Sequence, residues 1–160
     1  MKWLSLIAFL ALVFSISGIS SLVTMPAVQG WYHTLQKPGW NPPDWVFGPV
    51  WTTLYLMIAI AGWRVWQRLP AMHFSQRAAH PLMRPYWLQL LCNFLWSLLF
   101  FGAQSPLAGA VDIVLLLAAI GWNIARFRHI DRVAAWLLVP YFLWVAYATS
   151  LNFAIVALNR

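Results

Sequence analysis

Apolar residues along this chain run in blocks of about twenty, longer than the alternating runs of half-buried strands or most soluble helices. The blocks fall at residues 3–25, 45–66, 81–102, 107–127 and 133–158. One helical crossing of a bilayer core takes about 20 apolar residues. The pattern therefore predicts an all-α polytopic membrane protein, a bundle of five transmembrane helices forming a single domain over residues 1–160. Breaker-rich segments separate the blocks: Gly30 to Pro43, Arg68 to His80 around Pro70, Ala103 to Pro106, and Arg128 to Arg132.

The first block admits two readings. Lys2, an apolar core and Ser15-Ile16-Ser17-Gly18 match a signal peptide with a small-x-small cleavage site. The apolar stretch continues through Leu22, Val23 and Met25, beyond the usual signal-peptide core, so a retained helix is expected.

Composition sharpens this picture. Hydrophobic residues make up 62% of the chain and charged ones 8%, which leaves no room for a water-soluble domain. The net charge of +7 would suggest nucleic acid in a soluble protein, but the basic residues are few and scattered. Topology explains them better. Lys2, Arg64, Arg68, Arg77, Arg84, Arg126, Arg128 and Arg132 fall on one side of five alternating spans, and Lys37 and Arg160 on the other. The positive-inside rule then predicts a cytoplasmic N-terminus, with the first loop and the C-terminus outward; the membrane itself is expected to be a bacterial cell membrane. The single cysteine, Cys92, lies within an apolar run, excludes an intramolecular disulfide and reads as a small core residue.

Twelve tryptophans are the most unusual feature. An interfacial belt accounts for Trp3, Trp45, Trp63, Trp66, Trp87, Trp122 and Trp136, which lie near span ends. Trp51, Trp96 and Trp144 lie deeper and are the candidates for a lined cavity. Helical spacing groups Trp51 with Tyr55, Ile58 and Gly62, and Trp96 with Gln89, Asn93 and Phe100. It groups Trp144 with Tyr141, Ala148 and Asn152. Asn93 and Asn152 must face the bundle interior, either lining a cavity or joining helices. Asp112, a carboxyl near a span centre, costs about 2.5 to 3.5 kcal/mol on insertion scales and is expected protonated or amide-bonded.

The first loop, residues 30–44, is rich in aromatics, and Pro38, Pro42 and Pro43, with Pro49 just beyond, stiffen it. On the outward side it would sit above the converging tryptophans as a lid, a role compatible with anchoring at the membrane surface. No metal site is expected, because His33, His73, His80 and His129 show no helical pairing with one another or with acids. With only Asp44, Asp112 and Asp131, conventional carboxylate or Ser-His-Asp catalysis lacks raw material. An ion-coupled pump is disfavoured for the same shortage of intramembrane ionisable groups.

The run from Trp31 to Tyr55, WYHTLQKPGWNPPDWVFGPVWTTLY, resembles the signature of the translocator protein family, TspO or tryptophan-rich sensory protein, once called the peripheral benzodiazepine receptor. The resemblance extends to Asn93, Trp96, Phe100 and Phe101, then to Pro140-Tyr141, Trp144, Ala148 and Leu151-Asn152. It implies a five-helix bundle, usually a homodimer, whose cavity beneath the first loop binds porphyrins such as protoporphyrin IX, haem-pathway tetrapyrroles and synthetic isoquinoline carboxamides. Carried over, the pocket would use Trp31, Tyr32, Pro42, Trp51, Tyr55, Asn93, Trp96, Trp144 and Ala148, with Tyr141 and Asn152 on the same stripe as Trp144. No cofactor is required in this reading; porphyrin is the ligand. Some bacterial relatives degrade porphyrin in light, which would make Trp51 and Trp144 candidate redox residues.

The sterol motif, tied to reported sterol binding in eukaryotic members of that family, is where the chain departs from the resemblance. Near the C-terminus Phe153 replaces the tyrosine of the consensus, and Arg160 lies too far away. Arg84-Pro85-Tyr86-Trp87-Leu88 fits only the weak reversed pattern, so high-affinity cholesterol binding is not expected. The third span lacks GxxxG, and a dimer rests on the resemblance alone. Three functions follow in order: a tetrapyrrole-binding receptor or transporter, a light- and oxygen-dependent porphyrin-degrading protein, and a regulatory or stress-sensing scaffold without turnover.

Overall fold

The computed structural model describes residues 2–70 and 73–160, so residues 71–72 of the second loop lie outside the described residues. It is helical, with seven α-helices among the described residues: α1 (Lys2–Gln29), α2 (Trp31–Thr34), α3 (Phe47–Arg68), α4 (Phe74–Ala78), α5 (Arg84–Ser97), α6 (Pro106–Phe127) and α7 (Arg132–Leu158). A 3-10 turn, Asp44–Val46, leads into α3, and a π-helical turn, Leu98–Gly102, continues α5.

Four helices are long and apolar enough to cross a membrane: α1, α3, α6 and α7. Residues 81–102 depart from the expected uninterrupted span. They form a 14-residue α-helix extended by a five-residue π turn, where the Ala103 amide donates to the Leu98 carbonyl five residues back at 2.7 Å. Gln89, Asn93 and Ser97 on this segment are buried polar positions, which dilute its apolar character.

Helix ends follow from local chemistry. Pro70 stops α3, leaving Leu69 extended with ψ of 146°. Ser105 caps α6 by accepting from the Ala108 amide at 3.3 Å with Pro106 in the first turn. Asp131 caps α7 by accepting from Val133 and Ala134. The tight turn between the π segment and α6 places Gln104 at φ 50°, the left-handed region where a side chain costs energy.

Long-range bonds fix how the helices run. Gln67 of α3 donates to Ser5 of α1 at 2.6 Å, joining the end of α3 to the start of α1. Arg64 and Arg68 of α3 both pair with Asp131, which is buried at the start of α7. Asn159, just past α7, exchanges bonds with the backbone of Gln36 at 3.0 and 2.9 Å. The bundle therefore has one end carrying the first loop and another carrying Arg64, Arg68 and the α6–α7 turn. Neighbouring helices alternate in direction between these ends.

The bundle is apolar outside and polar at selected points within. Leu4, Ile7, Leu22, Leu107, Leu115 and Leu143 are exposed on its outer surface, whereas Gln89, Asn93, Asp112, Asn123 and Asn152 are buried. That distribution suits hydrocarbon as solvent and identifies an integral membrane protein. Trp66 is a correction to the expected belt: it is buried, packed on Phe9 at 5.7 Å. Asp112 is buried, and its Oδ2 makes no hydrogen bond among the described residues, so the expected amide partner is not found.

α1 contributes Phe9 and Val13 to the main core. At that core's centre Tyr86, fully buried, lies against the backbone of Gly62 and stacks on Phe127 at 6.0 Å. A Cβ at Gly62 would stand 2.4 Å from the Tyr86 ring. Gly62→Ala should therefore lower the thermal unfolding midpoint in detergent, with an overpacking cost of about 1 to 3 kcal/mol. An unchanged midpoint would show that the ring moves freely.

Candidate functional site: an aromatic cavity at the loop end

A cavity of about 500 Å³ opens between α1, α3, the α5–π segment and α7, beneath the first loop. Its aromatic wall comprises Phe47, Trp51 and Tyr55 of α3, Trp96 of α5, Phe100 and Phe101 of the π turn, and Tyr32 from the loop. Trp96 and Phe100 stack at 5.2 Å with their planes 19° apart, and Trp51 lies 5.4 Å from Tyr55. Ala148 and Asn152 supply the α7 side. Met25 and Trp45, both largely exposed, mark its mouth.

Two buried amides hold this wall. Tyr55 donates its hydroxyl to Asn93 Oδ1 at 2.7 Å, and Asn93 Nδ2 donates to the Tyr141 hydroxyl oxygen at 3.0 Å. One amide thus ties α3, α5 and α7. Trp96 donates its indole N–H to Asn152 Oδ1 at 3.0 Å, and Asn152 Nδ2 donates to the Pro106 carbonyl at 2.8 Å. Gly109 makes room here, since a Cβ on it would sit 2.9 Å from the Phe100 ring and 3.1 Å from Asn152 Oδ1.

The first loop is fastened across the cavity by side chains. Tyr32 donates to Asn41 Oδ1 at 2.8 Å, and Lys37 donates to the Tyr32 carbonyl while its ammonium lies 4.5 Å from the Tyr32 ring. Tyr147 of α7 donates to the Trp40 carbonyl at 2.6 Å. His33 Nε2 lies 3.4 Å from Asp44 Oδ2, a tertiary His–carboxylate pairing that helical spacing could not reveal. Burial, reinforced by the Asp44 carboxylate, pushes the Tyr32 hydroxyl up to about 12, so it remains a neutral donor at physiological pH.

Of the eleven binding residues expected from sequence, Tyr32, Trp51, Tyr55, Trp96, Ala148 and Asn152 line the cavity. The other five lie outside its wall. Trp31 packs its edge on Phe100 at 5.7 Å, behind the lining. Pro42 belongs to the loop fastening, accepting from Asn41 Nδ2. Asn93 and Tyr141 form the bond network behind Tyr55. Trp144 packs on Phe47 at 6.0 Å and on Tyr147 at 5.6 Å, behind the lining, of which Phe47 is a member. Sequence reasoning missed the α1 wall, where Ser17, Ser21, Thr24 and Val28 face the cavity. Their four-three-four spacing marks a single helical face and was available as a signal. Among the described residues no group of three or more His, Cys, Asp or Glu side chains could hold a metal ion.

Two outcomes check this geometry. Asn93→Leu leaves the Tyr55 and Tyr141 hydroxyls without their amide and should cost about 1 to 3 kcal/mol in thermal stability. Asn123→Leu, which removes a buried amide with no hydrogen bond among the described residues, should be neutral or stabilising. Equal losses in the two variants would contradict the assigned network. In addition, the raised folded-state pKa of Tyr32 means its contribution is full below about 10 and is lost as pH rises through about 12. Proteolytic nicking of the first loop should rise only in that window, and Tyr32→Phe should abolish the transition.

Residues 7–158 match the model of the TspO/MBR family. The chain is 41% identical to the tryptophan-rich protein TspO of Archaeoglobus fulgidus, with 99% of each chain covered. It is 39% identical to the human translocator protein, covering 78% of this chain and 72% of the human one. It is also 39% identical to the tryptophan-rich sensory protein of Cereibacter sphaeroides over 81% and 77% of the two chains. With the helical bundle and its aromatic cavity, this similarity places the chain in the TspO/MBR family.

Proposed function

We propose that the cavity binds porphyrins, protoporphyrin IX and related haem-pathway tetrapyrroles, and that the protein acts as a membrane receptor or transporter for such flat apolar ligands. The observation that carries this reading is a lining of eight aromatic rings around about 500 Å³, within the roughly 300 to 1,000 Å³ typical of small-molecule pockets. A macrocycle offers a broad π-surface, and each ring it meets adds about 0.5 to 1.5 kcal/mol beyond area burial. Hydroxyls of Ser17 and Thr24 on the same wall supply the donors that orient a ligand's carboxylates, whereas those of Ser21 and Thr52 already donate to the Gly18 and Gly48 carbonyls. The first loop is the lid, held closed by Tyr32, Tyr147 and Asn159.

In this reading the α5–π segment, Arg84 to Gly102, is the fifth crossing. The loop end and the C-terminus face outward from a bacterial cell membrane, and the basic end faces the cytoplasm. A homodimer accords with the family. Light-driven porphyrin degradation is a second reading, favoured by Trp51, which lies in the wall within 5.4 Å of Tyr55 and 6.3 Å of Tyr141. Trp144, outside the lining, would act only at a distance.

Titrating the purified protein with protoporphyrin IX while following tryptophan quenching tests the binding. Trp51→Ala should weaken it by about tenfold, and Ala148→Trp, which fills the cavity, should abolish it. Trp144→Ala should change affinity by less than about threefold. Equal affinity in all three variants overturns the assignment.

A further inference from the structure

A second concavity, of about 580 Å³, lies at the opposite end of the bundle between α6 and α7. Its upper rim carries Arg128, His129 and Arg132, and its floor descends over Ala135, Trp136 and Val139. On α7 the residues Arg132, Ala135, Trp136 and Val139 follow the three-and-four spacing of one helical face. The groove therefore changes from cationic to apolar along its length, over about two turns of helix.

The cations there have no carboxylate of their own. The chain has ten Lys and Arg against three acids. Asp131 is engaged by Arg64 and Arg68, Asp44 lies against His33 in the first loop, and Asp112 is buried within α6. Among the described residues no carboxylate pairs with Arg128 or Arg132, and both side chains are exposed. Trp136, 71% exposed, sits one turn below Arg132, at the level where indoles meet headgroups. Cations at a membrane surface attract anionic lipid over a short range.

We propose that this groove is a binding site for one anionic phospholipid, its phosphodiester held between Arg128 and Arg132 and one acyl chain laid along Trp136 and Val139. The site is separate from the aromatic cavity and does not depend on what that cavity binds. Its chemistry selects a ligand with an uncompensated phosphate charge continuous with hydrocarbon. Neither free phosphate nor a zwitterionic lipid supplies both.

Native mass spectrometry of the full chain, released from detergent containing dioleoylphosphatidylglycerol or dioleoylphosphatidylcholine, reads this directly. One phosphatidylglycerol should remain bound, with phosphatidylcholine retained about tenfold less. Arg128→Gln combined with Arg132→Gln should cut phosphatidylglycerol retention about tenfold or more, and each single variant should cut it in part. Arg126→Gln removes the same charge outside the groove and should leave retention within about twofold. Millimolar inorganic phosphate should not displace the lipid. The proposal is overturned if Arg126→Gln costs as much as the groove variants, if both lipids are retained equally, if phosphate competes, or if the groove variants retain lipid as the parent does.

Discussion

An amide inside hydrocarbon has to find hydrogen-bond partners within the protein, and the arrangement at the loop end depends on how Asn93 and Asn152 meet that constraint. Asn93 joins hydroxyls from α3 and α7, and Asn152 joins the Trp96 indole to the first carbonyl of α6. Each bond fixes the rotation of the helices it links. Trp96, clamped at its N–H, presents its ring to Phe100, and Tyr55, clamped at its hydroxyl, keeps Trp51 beside it. The aromatic wall is thus a consequence of polar satisfaction as much as of hydrophobic packing.

The two ends of the bundle use their few charges differently. At the loop end, hydrogen bonds and one His–Asp contact fasten a proline-stiffened segment over the cavity. At the other end Asp131 caps α7 and receives two arginines of α3, so a single carboxylate sets both a helix start and a helix-to-helix contact. Of the other arginines at that end, Arg77 donates to the Pro70 carbonyl and covers the Trp66 ring, while Arg128 and Arg132 are exposed with no carboxylate partner among the described residues.

Much of this was legible in the sequence, because lipid imposes a coarse and strong pattern. The blocks at 3–25, 45–66, 107–127 and 133–158 correspond to α1, α3, α6 and α7 within a few residues. The segment at 81–102 was less legible: a π turn depends on one residue of excess backbone that no periodicity announces. Within the site, period-based stripes found Trp51, Tyr55, Trp96, Ala148 and Asn152 because each lies on the inward face of its helix. Trp144 shares a stripe with Ala148, yet its ring turns to Phe47, a choice made by a neighbouring chain segment and invisible to spacing. The serine and threonine face of α1 was readable but was masked by the stronger aromatic signal elsewhere.

The proposed seat of the macrocycle is the space framed by Trp51, Tyr55, Trp96 and Phe100, beneath Tyr32. An experimental structure of the protein loaded with protoporphyrin IX tests it most directly. Ordered density is expected for the ring, in van der Waals contact with Trp51 and Phe100 and with the first loop closed above it. Density for the ring only on the outer, lipid-facing surface of the helices, with the cavity unchanged, would contradict it.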